Sequence, residues 1–199
     1  IVAAGWKIDD EIADTTYLKE GLSPEYLVNL CETATLVIGH NIKFDLLYLY
    51  RNTSNKLPRI WCTQLAAYIL SGQRQMYASL DELTMEYVGA HALKDDKIKT
   101  YWKNGVDTEA IPEEELIPYL VSDVENTATI FNAQFAEAEA LGILPLMFTQ
   151  MDALRATTEM NRHGMQIDRV YVDNQRSYYG AILENARNNV YALEPMLDT

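Results

Sequence analysis

The sequence predicts a three-layer α/β domain followed by a helical extension. Strand-like runs come first, in "IVAAGWKI" and "TTYLK". From Ser23 onward, strand-like runs alternate with helix-like ones, the pattern of helices packed on the faces of a sheet. After "LGILP" only helical periodicity continues.

Taken in order, Ile1–Ile8 and Thr15–Lys19 read as strands joined by the acidic turn "DDEIAD". In "LSPEYLVNLCET", Ser23 is the expected N-cap and Pro24 the first helical residue, with Leu27, Leu30 and Cys31 on one face. "TLVIG" is a continuous apolar run of buried-strand type. "IKFDLLYLYR" has helical spacing and is broken by "NTSNKLP". "RIW" begins another short strand, and "TQLAAYILSG" is a helix that ends at Gly72. In "SLDELTMEYVG", Ser79 caps, Glu82 completes a capping box and Gly89 terminates. "HALKDDKIKTYWKNGVD" is polar with interleaved aromatics, a loop or a short helix. Glu113 to about Leu141 forms one long helix. "LMFTQMDALRATTEMNRHG" is another, and the link "MQID" leads to a last helix from Asp168. A boundary is expected between Leu141 and Pro145, dividing residues 1–141 from 142–199. The sequence contains no internal repeat and no low-complexity segment.

The 199 residues are 48% hydrophobic and 23% charged, the balance of a soluble globular protein. No apolar run approaches the ~18 residues of a membrane span, and the N-terminus shows no basic leader. A cytoplasmic setting is expected, or a host cytoplasm for a phage protein. Cys31 and Cys62 lie in apolar segments and read as reduced core thiols. The net charge of −13 repels nucleic acid at long range. A chain of this charge that acts on nucleic acid needs another domain for most of its affinity. Both ends look cut: Ile1 opens within a strand, and the last helix runs out with no domain after it.

Three stretches could carry chemistry: "GHNIKFD" (39–45), "WCTQLAAYIL" (61–70) and "YLVSD" (119–123). Tyr119 and Asp123 are four apart and share one helix face, beside an apolar face of Leu120, Val124 and Phe131. Asp45 falls in the first turn of its helix, where a carboxylate caps free N–H groups, favours the dipole or holds a metal. His40 is a hydrogen-bonded strand-end residue or a ligand. Taken singly, Asp123 reads as an exposed helix carboxylate and Tyr119 as a core-edge aromatic.

In combination, "HN-x-K-[FY]-D" followed by "Y-x-x-x-D" resembles the second and third exonuclease motifs of the DEDD superfamily, tyrosine subtype. The helix "TQLAAYIL" lies between them, as in the 3′–5′ proofreading domains of phage and bacterial family A DNA polymerases. The resemblance covers residues 1–141 and implies a ribonuclease H-like three-layer fold with a mixed central sheet. The tail "LRATTEMNRHGMQIDRVYV" resembles the start of the polymerase portion, with Gly164 as helix C-cap and Asp168 as the next N-cap.

The resemblance implies hydrolysis of 3′-terminal nucleotides by two divalent cations, Mg²⁺ or Mn²⁺, held by four carboxylates. Asp45 and Asp123 would be metal ligands, and Tyr119 would position the water. His40, Asn41, Lys43 and Phe44 would lie near the terminal nucleotide. The implied partners are a single-stranded 3′ end of DNA and the rest of a polymerase chain, with no membrane. Phe44 stands where relatives carry Tyr, and Cys62-Thr63 where they read Asp-Thr.

The first motif of that family, Asp-x-Glu at the end of the first strand, is not found in place. Asp9-Asp10-Glu11 contains the letters, but too few elements separate it from Asp45, and it reads as a solvated hairpin turn. The first strand is therefore expected upstream of Ile1, and little nuclease activity is expected of this chain alone. "KDDKIKTYWK" offers Lys94, Lys97, Lys99 and Lys103 with Tyr101 and Trp102, which suits single-strand binding or a solvated loop with a core-anchoring Trp. Two competing readings remain, an RNA exonuclease of the RNase D kind and a catalytically inactive scaffold of a polymerase.

Overall fold

The computed structural model describes residues 2–17, 24–51, 53, 55–89 and 96–193. Ile1, Lys19, Ser23, Lys94 and the last residues of the tail lie outside the described residues, and with them the Ser23 cap. The strands are β1 (Ala3–Trp6), β2 (Asp14–Tyr17), β3 (Val37–Gly39) and β4 (Ile60–Cys62). The helices are α1 (Pro24–Thr33), α2 (Lys43–Leu49), α3 (Thr63–Leu70), α4 (Leu80–Tyr87), α5 (Asp96–Lys103), α6 (Glu113–Ala140), α7 (Leu144–His163) and α8 (Arg169–Leu193).

β1 and β2 pair antiparallel with Ala3 opposite Tyr17, and β3 and β4 pair parallel with Val37 opposite Ile60. The mixed character expected of the sheet is present, but among the described residues it is divided into two two-stranded sheets. Each sheet ends at an edge that no described strand covers. That explains why β3, apolar along its length, is half-buried rather than enclosed as its sequence predicts.

Helix α6 packs on both sheets. In its first half it holds the β1–β2 hairpin: Glu125 accepts from Lys7 Nζ at 2.6 Å and from Ala13 N–H at 3.2 Å. The strand passes so close that a Cβ on Gly5 would stand 2.9 Å from Leu120 Cγ. A side chain there would have to displace the side chains of Leu120 and Val124. Further along α6, Gln134 is fully buried and joins β4 to α3. It accepts from Trp61 Nε1 at 3.3 Å and donates to Thr63 O at 3.0 Å.

Trp61, fully buried, is the centre of the main core, with Phe131, Phe135 and Phe148 against its ring at 5.5–5.8 Å. Phe148 belongs to α7, which also buries Met147 and Met151 in this cluster. Arg155 donates to Leu57 O, and Arg162 to the carbonyls of Tyr50, Thr53 and Asn55. The first compact unit runs to Arg162, with α7 packed on Trp61 through Phe148. Residues 163–199 form the second unit. Within it Asp168 caps α8, its Oδ1 accepting from Tyr171 N–H at 3.0 Å. Helix α8 buries no side chain.

The capping box of α4 is complete, with Ser79 Oγ accepting from Glu82 N–H and Glu82 accepting from Ser79 N–H. Cys31 and Cys62 are both free thiols. Among the described residues, no helix is long and apolar enough to cross a membrane.

Candidate functional site

The turn from β3 into α2 sets the first group of candidate residues. A Cβ on Gly39 would lie 2.9 Å from Ile42 Cγ1, so glycine lets Ile42 fold back under the strand end. Asn41 takes a left-handed φ of 50°, a conformation Asn tolerates better than most residues. Its carbonyl accepts from Phe44 N–H at 2.9 Å. Two tight residues thus start α2 and place Asp45 in its first turn.

Asp45 does not cap that helix: Ile42 occupies the cap position, with no side-chain cap hydrogen bond. Asp45 is exposed at the surface, yet desolvation by the surrounding protein pushes its carboxyl up to about 6, with only a backbone hydrogen bond opposing. His40 Nδ1 lies 3.0 Å from Thr63 Oγ1, and burial lowers its pKa. Asn41 is exposed and Lys43 half-buried. Phe44 is 58% exposed, its ring 4.9 Å from that of Tyr48, which leaves an aromatic face open beside Asp45.

The second group stands on α6. Tyr119 and Asp123, four apart on one face of α6, are close enough for the phenol to hydrogen-bond the carboxylate. Burial raises Asp123 to about 6, and the neighbouring Asp81 adds to this; the Tyr119 hydroxyl and Lys99 oppose it. Tyr119 is pushed up to about 12 by burial and by the charges of Asp123 and Asp81. Its ring packs against the buried cluster of Ile98, Ile111 and Leu116, and meets Trp102 edge-on at 5.9 Å.

The structure thus brings Tyr119 and Asp123 together. Asp81 from α4 and Lys99 from α5 form an ion pair whose charges act on Asp123. Asp81 carried no motif and was not foreseen, since its proximity depends on α4 packing against α6. Asp45 acts electrostatically on Cys31, helping to raise that thiol to about 11 after burial and Glu32. The charges acting on Asp123 are Asp81 and Lys99. Asp9 and Glu11 lie in the exposed β1–β2 turn, where Glu11 N–H bonds Ile8 O at 3.0 Å.

Asp45 and Asp123 suit a hard divalent cation in kind: both are oxygen donors whose charge is unfavourably desolvated, a cost a cation would relieve. Alone they are too few to complete its coordination, so further oxygens would have to come from water, phosphate or other carboxylates. Among the described residues no three His, Cys, Asp or Glu side chains gather closely enough to hold a metal ion.

A pH dependence follows. A carboxyl whose folded pKa is raised binds its proton more tightly when folded, so its contribution to stability is present at low pH and lost as pH rises through about 6. The double variant Asp45→Asn/Asp123→Asn should therefore melt above the wild type at pH 8 without divalent cations. The difference should shrink as pH falls to 5. Thermal melts across that range check it, and a difference that stays constant or grows on acidification contradicts it.

A family model described as a 3′–5′ exonuclease matches residues 8–134. DNA polymerase I of Borreliella burgdorferi is 25% identical over 187 residues, covering 94% of this chain and 20% of the relative. The chain thus spans about a fifth of the length of that relative. Among solved structures, Escherichia coli RNase D, an exoribonuclease involved in structured RNA processing, superposes with a TM-score of 0.60 at 20% identity. The superposition covers 80% of this chain and 40% of that one, and it shows the fold.

Proposed function

The chain belongs to the 3′–5′ exonuclease family of the DNA polymerase A type, and from that premise we propose that, as the proofreading module within a longer polymerase chain, it removes nucleotides from single-stranded 3′ ends of DNA. The observation that carries this is the hydrogen-bonded Tyr119–Asp123 pair, desolvated on the packed side of α6. The resemblance in sequence expects a phenol and a carboxylate together at that place.

In this reading Asp45 and Asp123 are the chain's ligands for two divalent cations, Mg²⁺ or Mn²⁺, with further oxygens from water, substrate phosphate and an Asp-x-Glu pair. When bound, such cations supply an activated water and stabilise the leaving oxygen. Tyr119 keeps its proton at neutral pH, because its pKa is pushed up to about 12. It therefore orients water through its hydroxyl and does not act as a base. Its O–H bond to Asp123 fixes the carboxylate that must hold charge. His40 secures the turn through Thr63, while Asn41, Lys43 and Phe44 face the terminal nucleotide.

The similarity to DNA polymerase I runs beyond the exonuclease match. That supports reading residues 142–199 as the lead into a polymerase portion. The rest of that polymerase would supply the basic surface that a chain of net charge −13 lacks, and a cytoplasmic setting goes with replication.

Matched 5′-labelled DNA and RNA strands test the substrate, using the intact protein with Mg²⁺. Faster shortening of DNA supports the proofreading reading. A preference for RNA would favour the RNase D-like alternative, and no shortening of either strand the scaffold.

A further inference from the structure

Helix α5 is anchored to the start of α6 by Ile98, fully buried with Ile111 and Leu116. Lys99 and Trp102, three residues apart, share a helix face; Trp102 contacts Tyr119, and the charge of Lys99 acts on Asp123. Trp102 meets the Tyr119 ring edge-on, with an interplanar angle of 83°, and its Nε1 donates to Thr108 Oγ1 at 3.1 Å. The ring is thus fixed on two sides, yet it stays 43% exposed. Trp61 shows how this chain encloses a tryptophan whose task is packing, at 0% exposure. Lys99 is paired with Asp81, both side chains about a third open to solvent. An ammonium has three donors, so the pairing leaves N–H groups for a second acceptor. Its charge is felt at Asp123, which places it within electrostatic range of the proposed reaction.

We propose that Lys99 and Trp102 form a binding subsite for the substrate strand, the indole stacking on one nucleobase and the ammonium meeting a backbone phosphate. The proposal rests on the exonuclease reading above. Stacking on a ring already held in place costs little ordering entropy, and any base offers a π-face. Lys99 supplies local positive charge near Asp81 and Asp123, which a phosphate needs beside carboxylates.

The test measures trimming of 5′-labelled single strands by the intact protein, with substrates carrying one abasic nucleotide at each of the last four positions in turn. Trp102→Ala should raise KM about tenfold on the unmodified strand, the range of one lost base–aromatic stack, with kcat changed less than about twofold. At one abasic position that penalty should vanish, and Trp102→Phe should recover most of the affinity. Lys99→Ala should likewise raise KM, with the penalty lost at one neutral methylphosphonate linkage. A Trp102→Ala penalty equal on all substrates, or wild-type KM in both variants while Asp123→Ala is inactive, overturns the subsite alone. Undiminished trimming by Asp123→Ala overturns the exonuclease reading and the subsite with it.

Discussion

Asp123→Ala is expected to slow 3′-end trimming by about 10²- to 10³-fold while leaving stability within about 1 kcal/mol of wild type. A cation held at the reacting phosphate contributes several kcal/mol to the transition state, and each ~1.4 kcal/mol is tenfold in rate. Losing a carboxylate that holds it therefore costs on the order of hundreds. Stability responds differently. At neutral pH the carboxylate is charged in a site that desolvates it, so its removal relieves a cost. The Tyr119 hydroxyl loses its acceptor in exchange, a net penalty of about 1 kcal/mol. Measuring kcat/KM and the melting temperature on one preparation separates the two. A variant that loses activity only because it unfolds would contradict this account of Asp123.

Trp61→Ala should destabilise the first unit by about 3–5 kcal/mol, the usual cost of emptying a large aromatic site in a core. The ring has no exposure, touches three phenylalanines, and joins β4 to α6 and α7. Its removal also leaves Gln134 Oε1 without the indole donor. Against a total stability of roughly 5–15 kcal/mol, that loss would bring the unit close to unfolding. The damage should reach the candidate site as well, because Gln134 holds Thr63, and Thr63 holds His40 beside the Asp45 turn. Urea unfolding of the variant measures the effect. Trp61→Phe keeps an aromatic ring without the N–H and should lose a smaller share. A midpoint within error of wild type for Trp61→Ala would show that the core does not centre on this residue.

What the sequence made legible was local chemistry. Ser79 and Glu82 announce a capping box because both partners sit in one turn, and Asp168 announces its helix for the same reason. Tyr119 and Asp123 could be paired in advance because helical spacing alone puts them on one face. What stayed hidden depended on packing between distant segments. Helix α5 reads as polar, and only the burial of Ile98 against Ile111 and Leu116 makes it a fixed element. Asp81 and Lys99 meet Asp123 only because α4 and α5 both pack on α6. Helix α7 belongs with the first unit for a reason carried by Trp61, far back in the chain. The half-exposure of β3 arises from an uncovered sheet edge, which the apolar run "TLVIG" does not reveal.

The most direct measurement follows a 5′-labelled primer with a mismatched 3′ end, incubated with the intact protein and Mg²⁺. The expected result is a ladder of products shortened one nucleotide at a time from the 3′ end, absent with Asp45→Ala and with Asp123→Ala. Cleavage at internal positions, or an undiminished ladder from either variant, would contradict it.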